Sequence, residues 1–293
     1  MKKNKLVLPK YYILEPSRKC NFRCFMCPYK DYSQEEKGVM ALDNFHKIIN
    51  EISPTAEIIQ LYWMGEPLLN ENIFTMIREI KEKTKAKLII STNGYFLDKL
   101  ACDKLVQSKL DSLIIDVDAA CEETYKKIRI GGNYKKLIEN IEYLLSINDS
   151  ISINLQFLTF KFNEKEKQKF VKQWQGKKCK LVFSWIDTWA GQLSFLEKDG
   201  QELSPYIDEV RLPCSDLWYK MTINYKGDVN LCCHDYKGLY KIGNLLKDSV
   251  EQIWNNEEIK KIREQHELGK FEGLCANCIE WAKKEEYKEL KDL

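Results

Sequence analysis

The sequence predicts an α/β fold: a partial, open (β/α)6 barrel of the TIM type, followed by a small α+β domain. Three observations predict it. Short β-prone runs alternate with helical patterns along the first two thirds of the chain, the mark of parallel βαβ units. There are six such units, fewer than the eight that close a barrel. Near Ser204-Pro205 the alternation gives way to a hairpin pattern and dispersed cysteines, which divides the chain into residues 1–204 and 205–293.

The first strand is the apolar run Tyr11-Tyr12-Ile13-Leu14. A helix follows on Leu42, Phe45, Ile48, Ile49 and Ile52, spaced by three and four. Residues 57–63 are β-prone, and Ile73, Met76, Ile77 and Ile80 mark the second helix. The run 87–92 ends at the turn signal Asn93-Gly94. Leu97, Leu100, Ala101 and Leu105 give a helix, 113–117 a strand, and Tyr134, Leu137, Ile138, Ile141, Leu144 and Leu145 a helix. An alternating strand over 151–160, a lysine-rich helix over 165–174 and a strand over 180–186 complete the barrel. Beyond it, 221–225 and 229–232 around Lys226-Gly227-Asp228 read as a β-hairpin.

Composition narrows the function. A net charge of +2 over 293 residues gives no electrostatic case for nucleic acid or an anionic membrane. The basic N-terminus lacks the apolar stretch of a signal peptide, and nothing approaches a transmembrane span. Eleven cysteines, an odd number without an export signal, argue for a reducing compartment and metal ligation. The expected location is the cytoplasm.

Cys20, Cys24 and Cys27 stand at C-x3-C-x2-C spacing just after the first strand. Three thiolates on one loop can hold three irons of a [4Fe–4S] cluster and leave the fourth open for chemistry. A structural zinc site or three reduced core cysteines are the plainer alternatives. A second set, Cys214, Cys232, Cys275 and Cys278, suits zinc or another cluster, with Cys233 adjacent to Cys232 as a competing ligand. Cys102, Cys121 and Cys179 fit no ligand spacing and read as small buried or partly buried residues.

The stretch Glu15 to Pro28 resembles the signature of the radical S-adenosylmethionine (SAM) enzymes. The resemblance implies that the open iron chelates SAM and that an electron from the cluster cleaves it to a 5′-deoxyadenosyl radical, which abstracts hydrogen from a substrate. It further implies SAM contacts. Gly65-Glu66-Pro67 is similar to the motif that receives the amino group of SAM, Ser91 to Gly94 to a third-strand contact, and Arg129 to the arginine that pairs with the SAM carboxylate. Asp118 matches a fourth-strand aspartate, whereas Asp116 stands where the family often has serine. That departure leaves three options for Asp116: it points away, it is protonated, or it serves the substrate.

The elements Gly227-Asp228-Val229, Ile242-Gly243-Asn244 and Ile253-Trp254-Asn255, with the later cysteines, resemble the SPASM/twitch auxiliary-cluster domain in its one-cluster form. This implies an auxiliary [4Fe–4S] cluster on Cys214, Cys232, Cys275 and Cys278. The expected activity is oxidation of a sugar or cyclitol alcohol, with the auxiliary cluster taking an electron and Asp116, Asp187 or His234 taking a proton. Trp185 and Trp189 around Asp187 suit a ring-shaped ligand, with Gln156 also at a strand end. The alternatives are epimerisation with Cys233 returning a hydrogen atom, maturation of a ribosomal peptide, and, outside enzymes, an iron–sulfur electron carrier or zinc-stapled binding module. An external reductant such as flavodoxin or ferredoxin and a small-molecule substrate are the expected partners.

Overall fold

The computed structural model describes residues 8–193 and 211–279. The division expected at residue 204 lies outside them. Strands β1 (Tyr11–Leu14), β2 (Ile58–Gln60), β3 (Lys87–Thr92), β4 (Ser112–Asp116), β5 (Ser152–Leu158) and β6 (Lys180–Ser184) run parallel. The helices between them are α1 (Leu42–Ile52), α2 (Ile73–Lys83), α3 (Lys99–Gln107), α4 (Glu122–Ile128), α5 (Tyr134–Ile147) and α6 (Lys167–Trp174). The alternation expected from the sequence is present. The strand expected over 57–63 is cut to three residues, because the chain then leaves the sheet for the Gly65 loop. Helix α4, which the periodicity did not single out, precedes α5.

Two-residue periodicity sorts the side chains. Tyr12, Leu14, Ile59, Leu88, Ile90, Leu113 and Ile115 meet the buried faces of the helices, among them Phe45, Ile48, Ile49 and Ile52 of α1. Each such side chain contributes about 1.5–3 kcal/mol by leaving water. The alternate positions face the interior of the curved sheet. There Tyr11, Ile13, Ile58, Ile89 and Ile114 form a separate apolar plug. Further along the same strands, toward their carboxyl ends, Gln60, Ser91, Asp116, Gln156 and Ser184 replace apolar residues on the wall of an open cavity.

Beyond the barrel lie α7 (Asp216–Tyr219), β7 (Lys220–Ile223), β8 (Asp228–Asn230), β9 (Lys241–Asn244), α8 (Val250–Trp254) and α9 (Glu257–Glu267). The expected hairpin is formed by β7 and β8, but it does not stand apart. Strand β7 pairs in parallel with β1, and among the described residues one sheet runs β6-β5-β4-β3-β2-β1-β7-β8-β9. A buried Glu15–Arg18 pair locks this join. Glu15 also accepts the Tyr225 backbone N–H, and the Arg18 guanidinium lies over the rings of Tyr32, Trp63 and Tyr225. The later cysteines are thereby carried to the open side of the barrel. Among the described residues no helix is long and apolar enough to cross a membrane.

Candidate active site

Three cavities follow one another at the carboxyl ends of the strands. The largest, about 460 Å³, is walled by Cys20, Cys24 and Cys27 on one side and by Glu66, Asn93, Asp116 and Arg129 on the other. The smallest, about 120 Å³, is walled by Cys214, Cys232, Cys275 and Cys278. A third, of about 180 Å³, lies between them and shares Gln60, Tyr62, Trp63, Asp187 and Trp189 with the first and Asp187, Cys233 and His234 with the second.

The start of the cysteine loop is held by the Gly65-Glu66 turn. Gly65 presses on it so closely that a Cβ there would stand 2.2 Å from the Ser17 carbonyl oxygen and 2.6 Å from that of Lys19, which only glycine permits. The Glu66 N–H then donates to Lys19 O at 2.8 Å. Each thiol has an N–H nearby: Phe22 N at 3.4 Å from Cys20 Sγ, Arg129 Nη1 at 3.8 Å from Cys24 Sγ, and the Tyr29 backbone N–H for Cys27. Burial nevertheless pushes Cys20 and Cys27 up to about 12 and raises Cys24 as well. Thiols so buried become thiolates when a metal takes the place of their protons.

Glu66 is buried and accepts from Thr92 Oγ1 at 2.7 Å, Asn93 N at 2.9 Å and Leu68 N at 3.2 Å. Burial outweighs these donors and pushes its carboxyl up to about 7. Asn93 is fixed by bonds to Asn21 and to Tyr95 N. Ser91 and Asp116 adjoin at the cavity wall, 3.5 Å apart. Asp116 therefore points into the cavity, where burial raises its carboxyl to about 6 against the pull of Arg129.

Asp118 is placed differently from Asp116. It is fully buried, has φ +61°, and is absent from the cavity wall. Its Oδ2 receives Arg129 Nε at 2.6 Å and also Nη2, while Oδ1 accepts Leu158 N at 2.7 Å. It aims the guanidinium, which does line the cavity. Burial opposes the charge on Arg129, but Asp118 and Asp116 outweigh it and hold the group charged.

Asp187 reaches the middle cavity because the chain after β6 turns back sharply. Trp189 and Ala190 adopt φ of +54° and +58°, a region non-glycine residues seldom enter, and such strain gathers at functional sites. Asp187 Oδ1 accepts Trp189 N, and Oδ2 lies 2.7 Å from His234 Nε2. His234 Nδ1 in turn lies 3.6 Å from Cys233 Sγ. Burial disfavours the imidazolium, but Asp187 and Cys233 outweigh it and hold His234 well above its usual range. Burial raises the Cys233 thiol in its turn, against the pull of His234.

In the small cavity, Cys214 and Cys275 are raised chiefly by burial, and each also feels the like charge of Cys232 and Cys278. Cys233 is outside that quartet and borders the middle cavity as well. Among the described residues no three His, Cys, Asp or Glu side chains converge as tightly as one metal ion requires. The two cysteine sets surround space instead, an arrangement that fits a group in which each thiolate meets a different iron.

The residues singled out in the sequence thus gather around the three cavities, except Asp118, which stands behind one wall. Sequence reading missed Gln60, Tyr62, Trp63, Ser184, Lys220 and His266, which also line them. Tyr62 and Trp63 carried a signal, two adjacent aromatics separated from Gly65-Glu66 by Met64 alone. Lys220 carried none, since its place depends on β7 joining β1.

Residues 14–171 match the family model of the radical SAM superfamily, and residues 214–279 match that of an iron–sulfur cluster-binding domain, SPASM. The tungsten-containing aldehyde ferredoxin oxidoreductase cofactor-modifying protein of Pyrococcus furiosus is 25% identical over 291 residues, 85% of this chain and 81% of its own. A probable GTP 3′,8-cyclase of Methanococcus maripaludis is 32% identical over 130 residues, covering 44% of this chain and 43% of its own. Among solved structures, BtrN in complex with AdoMet and 2-DOIA superposes with a TM-score of 0.64 at 19% identity over 93% of both chains. Streptococcus suis SuiB bound to precursor peptide SuiA gives 0.69 at 14% identity, over 88% of this chain and 67% of its own.

Proposed function

The chain belongs to the radical SAM superfamily, and on that footing we propose that it oxidises a ring-shaped small molecule, a sugar or cyclitol alcohol, in the middle cavity. It binds a [4Fe–4S] cluster with AdoMet and an auxiliary [4Fe–4S] cluster. When bound, these groups supply hydrogen-atom abstraction on one side of the substrate and an electron acceptor on the other. Cys20, Cys24 and Cys27 are assigned to the first cluster, and Cys214, Cys232, Cys275 and Cys278 to the auxiliary one. Gly65, Glu66, Ser91, Asn93 and Arg129 are assigned to AdoMet, with Asp118 positioning Arg129. An external flavodoxin or ferredoxin would supply the electron.

One observation carries the reading: Asp187 lines all three cavities while bonded to His234. A group so placed touches a substrate lying between the two clusters. Oxidising CH–OH to C=O removes a hydrogen atom from carbon, a proton from oxygen and one electron. Asp187 takes the proton, and His234 steadies the carboxylate. Tyr62, Trp63 and Trp189 offer ring faces to the substrate, and Gln60 offers both a donor and an acceptor. The structure of BtrN, which holds AdoMet together with 2-DOIA in the same fold, supports a small-molecule substrate.

A second reading rests on Cys233, whose residue lines both the middle and the auxiliary cavity. A thiol there returning a hydrogen atom would give epimerisation. SuiB, bound to a precursor peptide in a like fold, keeps peptide modification as a third outcome. The test is anaerobic incubation of the reconstituted protein with AdoMet, a strong reductant and a panel of cyclitols, amino sugars and peptides. The expected result is 5′-deoxyadenosine together with an equimolar ketone. An epimer that disappears in Cys233→Ala, or turnover with peptides alone, would replace the reading.

AdoMet binding has its own pH signature. Glu66 accepts from the AdoMet amino group most strongly as a carboxylate, and burial pushes its carboxyl up to about 7. Affinity is therefore expected to fall as the pH drops below that value and to level off above it. Glu66→Gln should bind weakly at every pH. Anaerobic equilibrium dialysis on both sides of neutrality checks this.

A further inference from the structure

The auxiliary cavity has a polar wall residue besides its cysteines. His266, near the end of α9, is 2% exposed and lines that cavity. Its Nδ1 accepts the Cys214 backbone N–H at 3.3 Å. A backbone amide can only donate, so the ring hydrogen sits on Nε2. That Nε2 is buried and has no partner among the described residues. Phe271 packs edge-on against the ring at 4.9 Å and fixes its plane. An unpaired buried N–H costs about 1–3 kcal/mol, and groups left in that state call for an explanation.

The cavity that His266 borders supplies one. We propose that His266 donates its Nε2–H to a sulfur of the auxiliary cluster, and that this bond raises the cluster's reduction potential. The proposal rests on Cys214, Cys232, Cys275 and Cys278 being the ligands. A donor aimed at a cluster sulfur favours the reduced, more negative state, and hydrogen bonds to sulfur are among the settings of such potentials. The consequence for the proposed oxidation is direct. A cluster that must accept an electron from a substrate radical accepts it more readily with this bond in place. The same histidine, through Nδ1, holds the backbone of the first ligand, Cys214, so ligand position and potential are set by one ring.

The experiment uses the full chain, reconstituted anaerobically, as wild type, His266→Gln and His266→Phe. Glutamine carries an amide N–H close to the position of Nε2, whereas phenylalanine fills the space without a donor. Iron is counted in each, and the auxiliary cluster's midpoint is read by EPR-monitored redox titration. At equal iron, the wild type and His266→Gln should titrate together and His266→Phe at a lower potential. Equal midpoints in all three would overturn the proposal. Should His266→Phe hold less iron, pulsed EPR of the wild type labelled with ¹⁵N-histidine decides. A ¹⁵N coupling to the reduced auxiliary cluster that vanishes in His266→Gln supports the bond, and its absence removes it. Cys275→Ala separates the two assignments, because full iron in that variant refutes the ligand set and not His266.

Discussion

Asp187→Asn is expected to lower oxidised product by about 10²–10⁴-fold, the usual worth of a positioned general base. AdoMet cleavage should persist, so 5′-deoxyadenosine outruns product. Asparagine keeps one acceptor oxygen for the Trp189 N–H, so the turn after β6 keeps its shape. Its amide Nδ2–H takes the place of Oδ2, now 2.7 Å from His234 Nε2, where it donates to the neutral ring. What is lost is a group able to take the substrate's hydroxyl proton. His234 also loses the charge that holds it above its usual range, so its titration should move down toward neutrality. The ratio of 5′-deoxyadenosine to product, measured in single-turnover samples, checks both parts. Undiminished product would remove Asp187 as the base.

Arg129→Ala carries the largest expected stability effect. It leaves Asp118, which is fully buried, without its cation, and breaking a buried pair from one side costs about 3–5 kcal/mol. Arg129→Lys should recover only part, because one ammonium cannot reproduce the two bonds that the guanidinium makes to Asp118 while also reaching Cys24 and Asp116. Denaturant unfolding of the cluster-free chain measures this without interference from iron. Arg129→Ala combined with Asp118→Asn should be milder than Arg129→Ala alone, since the orphaned charge is then gone. A loss below about 1 kcal/mol, in the range of an exposed pair, would mean that Asp118 is already neutral.

Much of this was legible in the sequence, for identifiable reasons. Strands and helices of the barrel follow from short-range periodicity, so Ile48, Ile49 and Ile52, or Leu113 and Ile115, sit where their spacing puts them. The cysteine loop, Gly65-Glu66 and Asn93 were legible because their chemistry is written in consecutive residues. Long-range placement was not. Nothing local tells that β7 extends the sheet at β1, which puts Lys220 beside the middle cavity and brings the His234 carried after β8 within reach of Asp187. Asp116 and Asp118 illustrate the limit within a single strand end. Their two-residue spacing does not place both on one face here, because Asp118 follows the strand in a left-handed conformation. One carboxylate enters the cavity and the other backs Arg129. His266 was invisible for a similar reason, since its partner Cys214 is 52 residues away.

The central claim is that two iron–sulfur clusters face a substrate from opposite sides, each on its own cysteine set. Iron and acid-labile sulfide per chain test it most directly, measured after anaerobic reconstitution of the wild type, the Cys20/Cys24/Cys27→Ala variant and the Cys214/Cys232/Cys275/Cys278→Ala variant. The expected result is about eight irons in the wild type and about four in each variant, as two independent [4Fe–4S] clusters require. About four irons in the wild type, lost entirely in the first variant and accompanied by zinc that disappears in the second, would contradict it. The later cysteines would then be a structural staple, and the proposed oxidation would have no electron acceptor beside Asp187.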